Sequence, residues 1–558
     1  MGTLKLEFEK GLFLGIDFGT TNTVVSVYDY DAGSVYTIPI DGQLIFPTAV
    51  QFEMDMEVPG KLNSIFGIQA KESAIIYPES TILSVKRLLG KDQPIQVVIE
   101  ETTYDFKPED IVAQILSFIK IKANDYIHEE KHVSGEFSGC VITVPANSTD
   151  KQKNKMRYAA MIAGFMEESI FLRLEPAAAA ISYAQIATKN SHVLVYDFGG
   201  GTFDACLLNL KAIQDEEPEI SITSTHGDNH LGGDDLDRLM MDMVYDAFLE
   251  TTGHNIDLFD LSKDDGVSNQ QKKMALVRMK QVANHAKEQL SKTTSTKIVL
   301  APLLQEPEMI NISLEISREA YYNHKRKHML DESLEDFKQM QGFSVKDLVA
   351  RTMACVDGCL EAAGLMPSEV DEVFLVGGSS AIVEVIDQIR NKFEKEPYKA
   401  MISPALSISQ GAAYYCNMIM LPSIKGPKVF EKTVHPLGLE IAGRRFMEII
   451  EANMPIPEEG LEIEGDELLY TNHDDITGMA IVVYEDTSVD SGKRLKFVTE
   501  KGMKRLGATT LKGIPKAPKG EEKVKVVFKV NRNHLLTVVA TSTSTTGVET
   551  ILAVDQLY

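Results

Sequence analysis

An α/β chain of two related lobes followed by an all-β module is the fold class this sequence predicts, and three observations carry it. The first is a turn that occurs twice. Leu12-Phe13-Leu14-Gly15-Ile16-Asp17-Phe18-Gly19-Thr20-Thr21-Asn22-Thr23 returns in altered form as Val193-Leu194-Val195-Tyr196-Asp197-Phe198-Gly199-Gly200-Gly201-Thr202-Phe203-Asp204. The second is an alternation of β-rich and helical stretches up to about residue 424, the pattern of an α/β architecture. The third is a change of texture beyond Pro422, Gly426, Pro427 and Pro436, after which short strands and turn signals fill residues 435–554.

Each copy of the turn is an apolar run, then Asp-Phe-Gly, then small hydroxyl- or amide-bearing residues, then a second β-rich run. Glycines there let backbone N–H groups approach an anion closely. A single copy is equally well explained as a plain hairpin closure. Two copies, each with an Asp at a strand end, point to two lobes gripping a triphosphate and its Mg²⁺ from opposite sides. Asp17 and Asp197 would repel bare phosphates and become favourable only with Mg²⁺ between, held through its own waters. Gly19, Gly199, Gly200 and Gly201 supply N–H donors, and Thr20, Thr21 and Thr202 add hydroxyls.

The helices follow in order. Ile111, Val112, Ile115, Leu116 and Ile119 mark a helix over 110–127. Thr149-Asp150 caps another over 149–165. Pro176 opens a tightly packed one over 174–188, with Ala177 to Ala180 in succession. Charged helices are expected over 271–292 and 317–363, before a strand at Val373-Phe374-Leu375-Val376. Gly377-Gly378-Ser379-Ser380 follows that strand, and the helix expected next would offer its N-terminus to a phosphate or ribose. His230-Leu231-Gly232-Gly233-Asp234-Asp235 is a weaker turn of the same kind. In the last module, Lys523–Val530 and Leu535–Ala540 alternate as strands, with Asn531-Arg532-Asn533-His534 as the turn between them and a sandwich as the expected fold. The basic run Lys501 to Arg532 includes Glu521 and Glu522 and reads as a solvated sheet face.

Composition narrows the function classes. A chain of 558 residues exceeds one core and divides into two or three units. A net charge of −25 repels polyphosphate backbones and argues against nucleic-acid binding. No apolar run is long enough to span a bilayer, and the start Met1-Gly2-Thr3-Leu4-Lys5-Leu6 has no signal-peptide core, so a cytoplasmic protein without membrane attachment is expected. Cys140, Cys206, Cys355, Cys359 and Cys416 lack ligand spacing and read as reduced core thiols. Lys86, in Ser84-Val85-Lys86-Arg87-Leu88, and Glu175, in Leu174-Glu175-Pro176, are the residue types that phosphoryl transfer to water requires, although spacing alone places neither in a cleft.

Asp-Phe-Gly-Thr-Thr-Asn, Val144-Pro145-Ala146, Glu175-Pro176-Ala177-Ala178-Ala179, Asp197 to Asp204, Leu231-Gly232-Gly233-Asp234 and Leu375 to Ser379 occur in the order seen in the DnaK-type 70-kDa heat-shock chaperones. The stretch Leu511 to Gly520 and its following strands resemble the family's peptide-binding β-domain, so the resemblance covers roughly 11–552. It implies an actin-like two-lobed ATPase domain over 1–424, a linker over 425–434 and a β-sandwich peptide-binding domain over 435–558. The implied cofactors are ATP or ADP, Mg²⁺ and K⁺. Carried over, Lys86 is the catalytic lysine and Thr202 a γ-phosphate contact, with Glu175, Asp197 and Asp204 as the carboxylates around metal and water. Asp17 matches the first metal-side aspartate. Gly232, Gly233, Gly377, Gly378 and Ser379 join the nucleotide site, and the adenosine pocket uses the stretch Asn284 to Ser291, with Lys287 and Ser291 kept. Leu439 and Ile441 match alternate apolar contacts of the peptide groove. Implied partners are unfolded or nascent polypeptides, a J-domain co-chaperone and an exchange factor, acting on a monomer.

Departures qualify the resemblance. Asn284 replaces a usual Glu, Glu288 stands at a position often basic or apolar, and Ala381 replaces an Arg common against the adenine. Ser403-Pro404-Ala405-Leu406 lacks the acidic residues usual there. Residues about 323–347 are longer than the family pattern and read as a surface insertion. The linker, Lys428-Val429-Phe430-Glu431-Lys432-Thr433-Val434, carries charges inside what is normally an aliphatic run, so docking it would desolvate charge and coupling is expected to be weak. No stretch matching the family's helical lid is read after the β-module, so a lidless or truncated member is expected. An ATP-driven chaperone is the leading expectation; a nucleotide-binding co-chaperone or scaffold with slow hydrolysis and little client binding is the alternative. A kinase of small metabolites would leave the β-module unexplained.

Overall fold

Both copies of the turn close an antiparallel pair, and each pair has a parallel neighbour on its first strand and an antiparallel neighbour on its second. In the computed structural model Leu12–Phe18 pairs antiparallel with Asn22–Asp29 and parallel with Phe137–Val144. Ser191–Phe198 pairs antiparallel with Phe203–Lys211 and parallel with Glu372–Val376. Two six-stranded sheets result. The internal repeat seen in the sequence is therefore a repeat of topology. The structure describes residues 12–553 apart from 30–31, 59, 133–134, 147, 185–188, 212–218, 229, 254, 261, 306–307, 329–341, 399–402, 404, 421–427, 434, 453, 458–459, 466–467, 489–494 and 532–534, and gives only the backbone of 420 and 428–431. Outside it lie the expected turn at 532–534, Pro404, linker residues 425–427 and 434, and the middle of the long 323–347 stretch.

Helices cover the sheets where their apolar stripes require it. Pro108–Glu129 buries Ile111, Val112, Ile115, Leu116 and Ile119, the spacing read from the sequence. Asp150–Ile162 starts with a capping box: the Thr149 hydroxyl accepts from the Gln152 N–H, and the Gln152 side chain accepts from the Thr149 N–H. Glu175–Ala184 is buried along its whole length and packs on Ser407–Met420 so closely that a Cβ on Gly411 would overlap the Ala178 carbonyl. The alanine run is what permits this approach of two helix backbones. Among the described residues, the expected helix over 317–363 is interrupted at 324–328, with helices at Arg318–Asn323 and Val345–Ala363. Glycine 377 is followed by one 3₁₀ turn, Gly378–Ala381, and the longer helix begins only at Val383. Among the described residues, no helix is long and apolar enough to cross a membrane.

Beyond residue 436, apart from Pro455–Ile456, the described strands pair antiparallel within two sheets. One orders Arg445–Ile450, Leu437–Ile441, Gly478–Asp486 and Met503–Lys512; the other orders Leu461–Glu464, Lys523–Val530, Leu536–Ser542 and Glu549–Ala553, with Leu469–Tyr470 alongside. Their inner faces share one core that includes Leu439, Val483, Leu511, Phe528 and Val538. The lysines of Lys523–Val530 point outward, and Lys525 and Lys529 pair with Glu464 and Glu462 across the sheet, as a solvated face requires.

The stretch read as a linker contains a strand, despite the charges inside it. Lys428–Lys432 extends the second lobe's sheet, parallel to Glu219–Asp228, and on its other side pairs antiparallel with Pro455–Ile456 of the β-module. The Lys432 ammonium donates to the Thr223 carbonyl at 3.0 Å, so its charge is solvated by the backbone it docks on.

Candidate functional site

Four glycine turns converge between the lobes. In the first, the Thr48 hydroxyl donates to the Gly19 carbonyl at 3.0 Å, and Asn22 begins the returning strand with its side chain exposed. In the second, Asp197 stands directly across the hairpin from Asp204, and the Gly199 N–H closes the turn on the Thr202 carbonyl at 3.1 Å. The two turns meet: a Cβ on Gly200 would overlap the Thr21 hydroxyl, and one on Gly201 would lie 2.7 Å from the Thr20 hydroxyl. The third and fourth turns lock onto the second. The Ser379 hydroxyl donates to the Gly199 carbonyl at 2.9 Å, while the N–H groups of Gly233 and Asp234 donate to Gly199 and Gly200 at 2.9 and 2.8 Å. Gly377, at φ +78°, lies where a side chain would be both strained and 2.7 Å from the Asp197 carboxylate. Gly232 is pressed against Gly201, whereas Gly378 faces open space.

Charge is concentrated beside these turns. Ser84, in the left-handed region at φ +58°, bends the chain into the single 3₁₀ turn Val85–Leu88, which carries Lys86. Glu175 is the first residue of its helix, directly after the strand Ile170–Leu174. The two meet at 2.6 Å, about nine-tenths buried, although 89 residues separate them. Burial pushes the Asp17 carboxyl up to about 7; Glu175 adds to the shift, and Lys86 and the Thr143 hydroxyl oppose it. Burial likewise raises Asp197 far above the ordinary carboxylate range, with Glu175, Asp204 and Asp17 adding. One ammonium is too little for this many carboxylates. A hard divalent cation supplies the missing charge, so the donor set fits Mg²⁺.

Beside these turns the helix Asn269–Leu290, which the resemblance assigns to the adenosine pocket, brings Lys287 to Asp237 at 2.7 Å and to the Gly233 carbonyl at 3.2 Å. Asn284 donates to the other Asp237 oxygen at 3.1 Å, and the Ser291 hydroxyl donates to the Lys287 carbonyl at 3.3 Å. Glu288 and Ala381 are exposed and join none of these contacts.

Sequence reasoning missed the clasp between the lobes. Arg87 donates to the Gly201 carbonyl at 2.8 Å and reaches Asp235 at 3.4 Å and Asp234 at 3.9 Å; the Ser84 hydroxyl also donates to Asp234, at 3.3 Å. Burial is the largest influence on both aspartates. At Asp234 the cations Lys280, Arg87 and Arg238 overcome it and lower the carboxyl, while at Asp235 burial prevails and raises it. Adjacency to Lys86 was the one available signal for Arg87.

A cavity of about 480 Å³ opens from Thr20, Lys86 and Thr202 past Gln152 to Glu485 and Leu506 of the β-module. At that boundary His435 Nδ1 lies 2.8 Å from Glu485, and His435, Lys153 and Lys504 together hold the Glu485 carboxyl below its usual range against the upward push of burial. Leu439 and Ile441 share one face of their strand, but that face is the core face. Leu439 is 1% exposed and packs in the sandwich interior, and Ile441, at the strand's end, is half-buried. The inner pairing with Gly478–Asp486 sets this orientation.

Compared with known protein families, residues 13–556 match the family described as Hsp70 protein.

Proposed function

Because this chain belongs to the Hsp70 family, whose members bind ATP or ADP with Mg²⁺, hydrolyse ATP and act on unfolded polypeptides together with J-domain and exchange-factor co-chaperones, we propose that it is an ATP-driven chaperone. On this reading residues 1–424 form an actin-like ATPase domain and 435–558 a client-binding sandwich, and the 425–434 stretch reports nucleotide state between them. The observation that carries it is the strand Lys428–Lys432, which hydrogen-bonds the second lobe on one edge and the β-module on the other. Opening or closing the lobes then moves a strand that the client module shares.

The proposed chemistry follows from the charges. Lys86 stabilises negative charge growing on the γ-phosphate, and Thr20, Thr21, Thr202 and the N–H groups of Gly19, Gly200 and Gly201 orient the phosphate oxygens, while the Gly199 N–H holds the turn in shape. Glu175, held by Lys86, orients the attacking water with Asp204, while Asp17 and Asp197 would hold Mg²⁺. Bound Mg²⁺ would supply neutralisation of the phosphate charge, and K⁺ would assist at the same site. Gly232, Gly233, Gly377, Gly378 and Ser379 approach the phosphate–ribose end, and Asn284, Lys287 and Ser291 approach the adenosine, with Glu288 at its margin.

Single-turnover ATP hydrolysis with and without an unfolded peptide tests this reading. Peptide is expected to accelerate hydrolysis, and ATP to accelerate peptide release. The burial of Leu439 favours a second reading, a nucleotide-binding scaffold with little client binding. Hydrolysis indifferent to peptide, with no measurable peptide complex, would establish that reading instead.

A further inference from the structure

Far along the helix Gly233–Thr252 from its glycine-rich start, Asp242 and Asp246 stand one turn apart and share a face. The segment His324-Lys325-Arg326-Lys327-His328, which leaves the helix Arg318–Asn323 and begins the stretch longer than the family pattern, lies across that face. His324 Nε2 is 2.7 Å from Asp242 Oδ2, and His328 Nε2 is 2.7 Å from Asp246 Oδ1. Backbone N–H groups fix the register: Lys327 donates to Asp242 Oδ2 at 3.1 Å and His328 to Asp242 Oδ1 at 2.8 Å. One ligand atom from each of Asp242, Asp246 and His328 lies within 4.8 Å of the others.

We propose that Asp242, Asp246 and His328 form a binding site for a zinc-class divalent cation, separate from the nucleotide cleft. Of the two Asp242 oxygens, Oδ2 is filled by two donors and Oδ1 by one, so Oδ1 retains a lone pair for a metal. Asp246 Oδ1 and His328 Nε2 complete a set of two oxygens and one imidazole nitrogen, which suits Zn²⁺ with water in the fourth position. Ligands at about 2.0–2.1 Å around a tetrahedral ion stand roughly 3.3 Å apart, so the 2.7 Å contact between His328 and Asp246 opens by about half an ångström on loading. Asp246 and His328 are 26% and 27% exposed, which gives the ion an entry from solvent and the side chains room to move. Lys327 lies 2.5 Å from the other Asp246 oxygen and is largely exposed, so it leaves the ligating oxygen clear. His324 is a positioning residue: its bond to Asp242 orients that carboxylate, the role outer-shell partners play in metal sites. The metal would pin the additional segment to the helix.

The test uses the full chain stripped with EDTA and then saturated with Mg²⁺ and ADP, so that the cleft is blocked. Zn²⁺ is titrated by calorimetry, and Co²⁺ by its visible absorption. One Zn²⁺ per chain is expected, resisting millimolar Mg²⁺, with a Co²⁺ spectrum of tetrahedral intensity. His328→Ala and Asp246→Asn, both on part-exposed positions, should abolish the spectrum and weaken Zn²⁺ at least 100-fold while ATP hydrolysis stays unchanged. His324→Ala should weaken it about 10-fold, in the range outer-shell losses show. No Zn²⁺ taken up beyond the Mg²⁺-ADP-blocked cleft, or parental affinity in His328→Ala and Asp246→Asn, would overturn the proposal.

Discussion

Replacing Lys86 with Ala removes the ammonium set against Glu175, Asp17 and Asp197, and two separable effects follow. The first is on the apo fold. Lys86 and Glu175 meet at 2.6 Å with 10% and 7% of their side chains exposed, so the variant leaves a buried carboxylate without its partner. Breaking such a pair from one side costs about 3–5 kcal/mol. Glu175→Gln, which removes the stranded charge, should recover most of that loss in the double variant. The second effect is on chemistry. A charge-stabilising donor is worth roughly 2.7–4 kcal/mol in the transition state, or about 10²–10³ in rate. The double variant recovers stability without recovering rate, because the γ-phosphate still lacks its cation. Urea unfolding of the apo chain reads the first effect, and single-turnover hydrolysis at saturating Mg²⁺-ATP reads the second, with nucleotide affinity measured separately and expected to change little. Hydrolysis at the parental rate in Lys86→Ala would refute the catalytic assignment, and unchanged urea midpoints would refute the account of the charge cluster.

Three further outcomes are expected. The Asp17 carboxyl sits at about 7 against an ordinary 3.8, so the native state keeps a proton that the unfolded chain releases; stability should fall as pH rises from about 4 to 7, and Asp17→Asn should flatten that slope, gaining most at pH 7.5 and nothing near pH 4 in urea titrations without metal. Arg87→Ala unfastens Gly201 from the first lobe and removes the cross-lobe partner of Asp235, which keeps Arg238 and the Gly232 N–H, so a fluorescent ADP analogue should leave several-fold faster in stopped flow; an unchanged off-rate would mean the clasp does not hold the cleft shut. Lys432→Leu leaves the Thr223 carbonyl without its donor, at a cost of about 1–3 kcal/mol to docking, and small-angle scattering should report a larger radius of gyration; a more compact or more strongly peptide-stimulated variant would instead restore the view that this charge opposes docking.

What the sequence determined by itself was local. The repeated Asp-Phe-Gly hairpin, the helix over Ile111 to Ile119, the Thr149 cap and the alternating strands at the C-terminal end are each specified by residues within a few positions of one another, because helix and strand periods and caps are short-range contacts. The glycine turns at 232–233 and 377–378 were weak signals for the same reason: a glycine shows that backbone can come close, not what it comes close to. Only the tertiary structure brought all four turns to one point, set Lys86 on Glu175 and Arg87 on Gly201, and paired Lys432 with Thr223. It also turned Leu439 inward, since which face of a strand is buried depends on the neighbouring sheet. A charged residue's partner across 89, 114 or 209 positions is fixed by how lobes and modules pack, and hydrophobic periodicity carries no record of that packing.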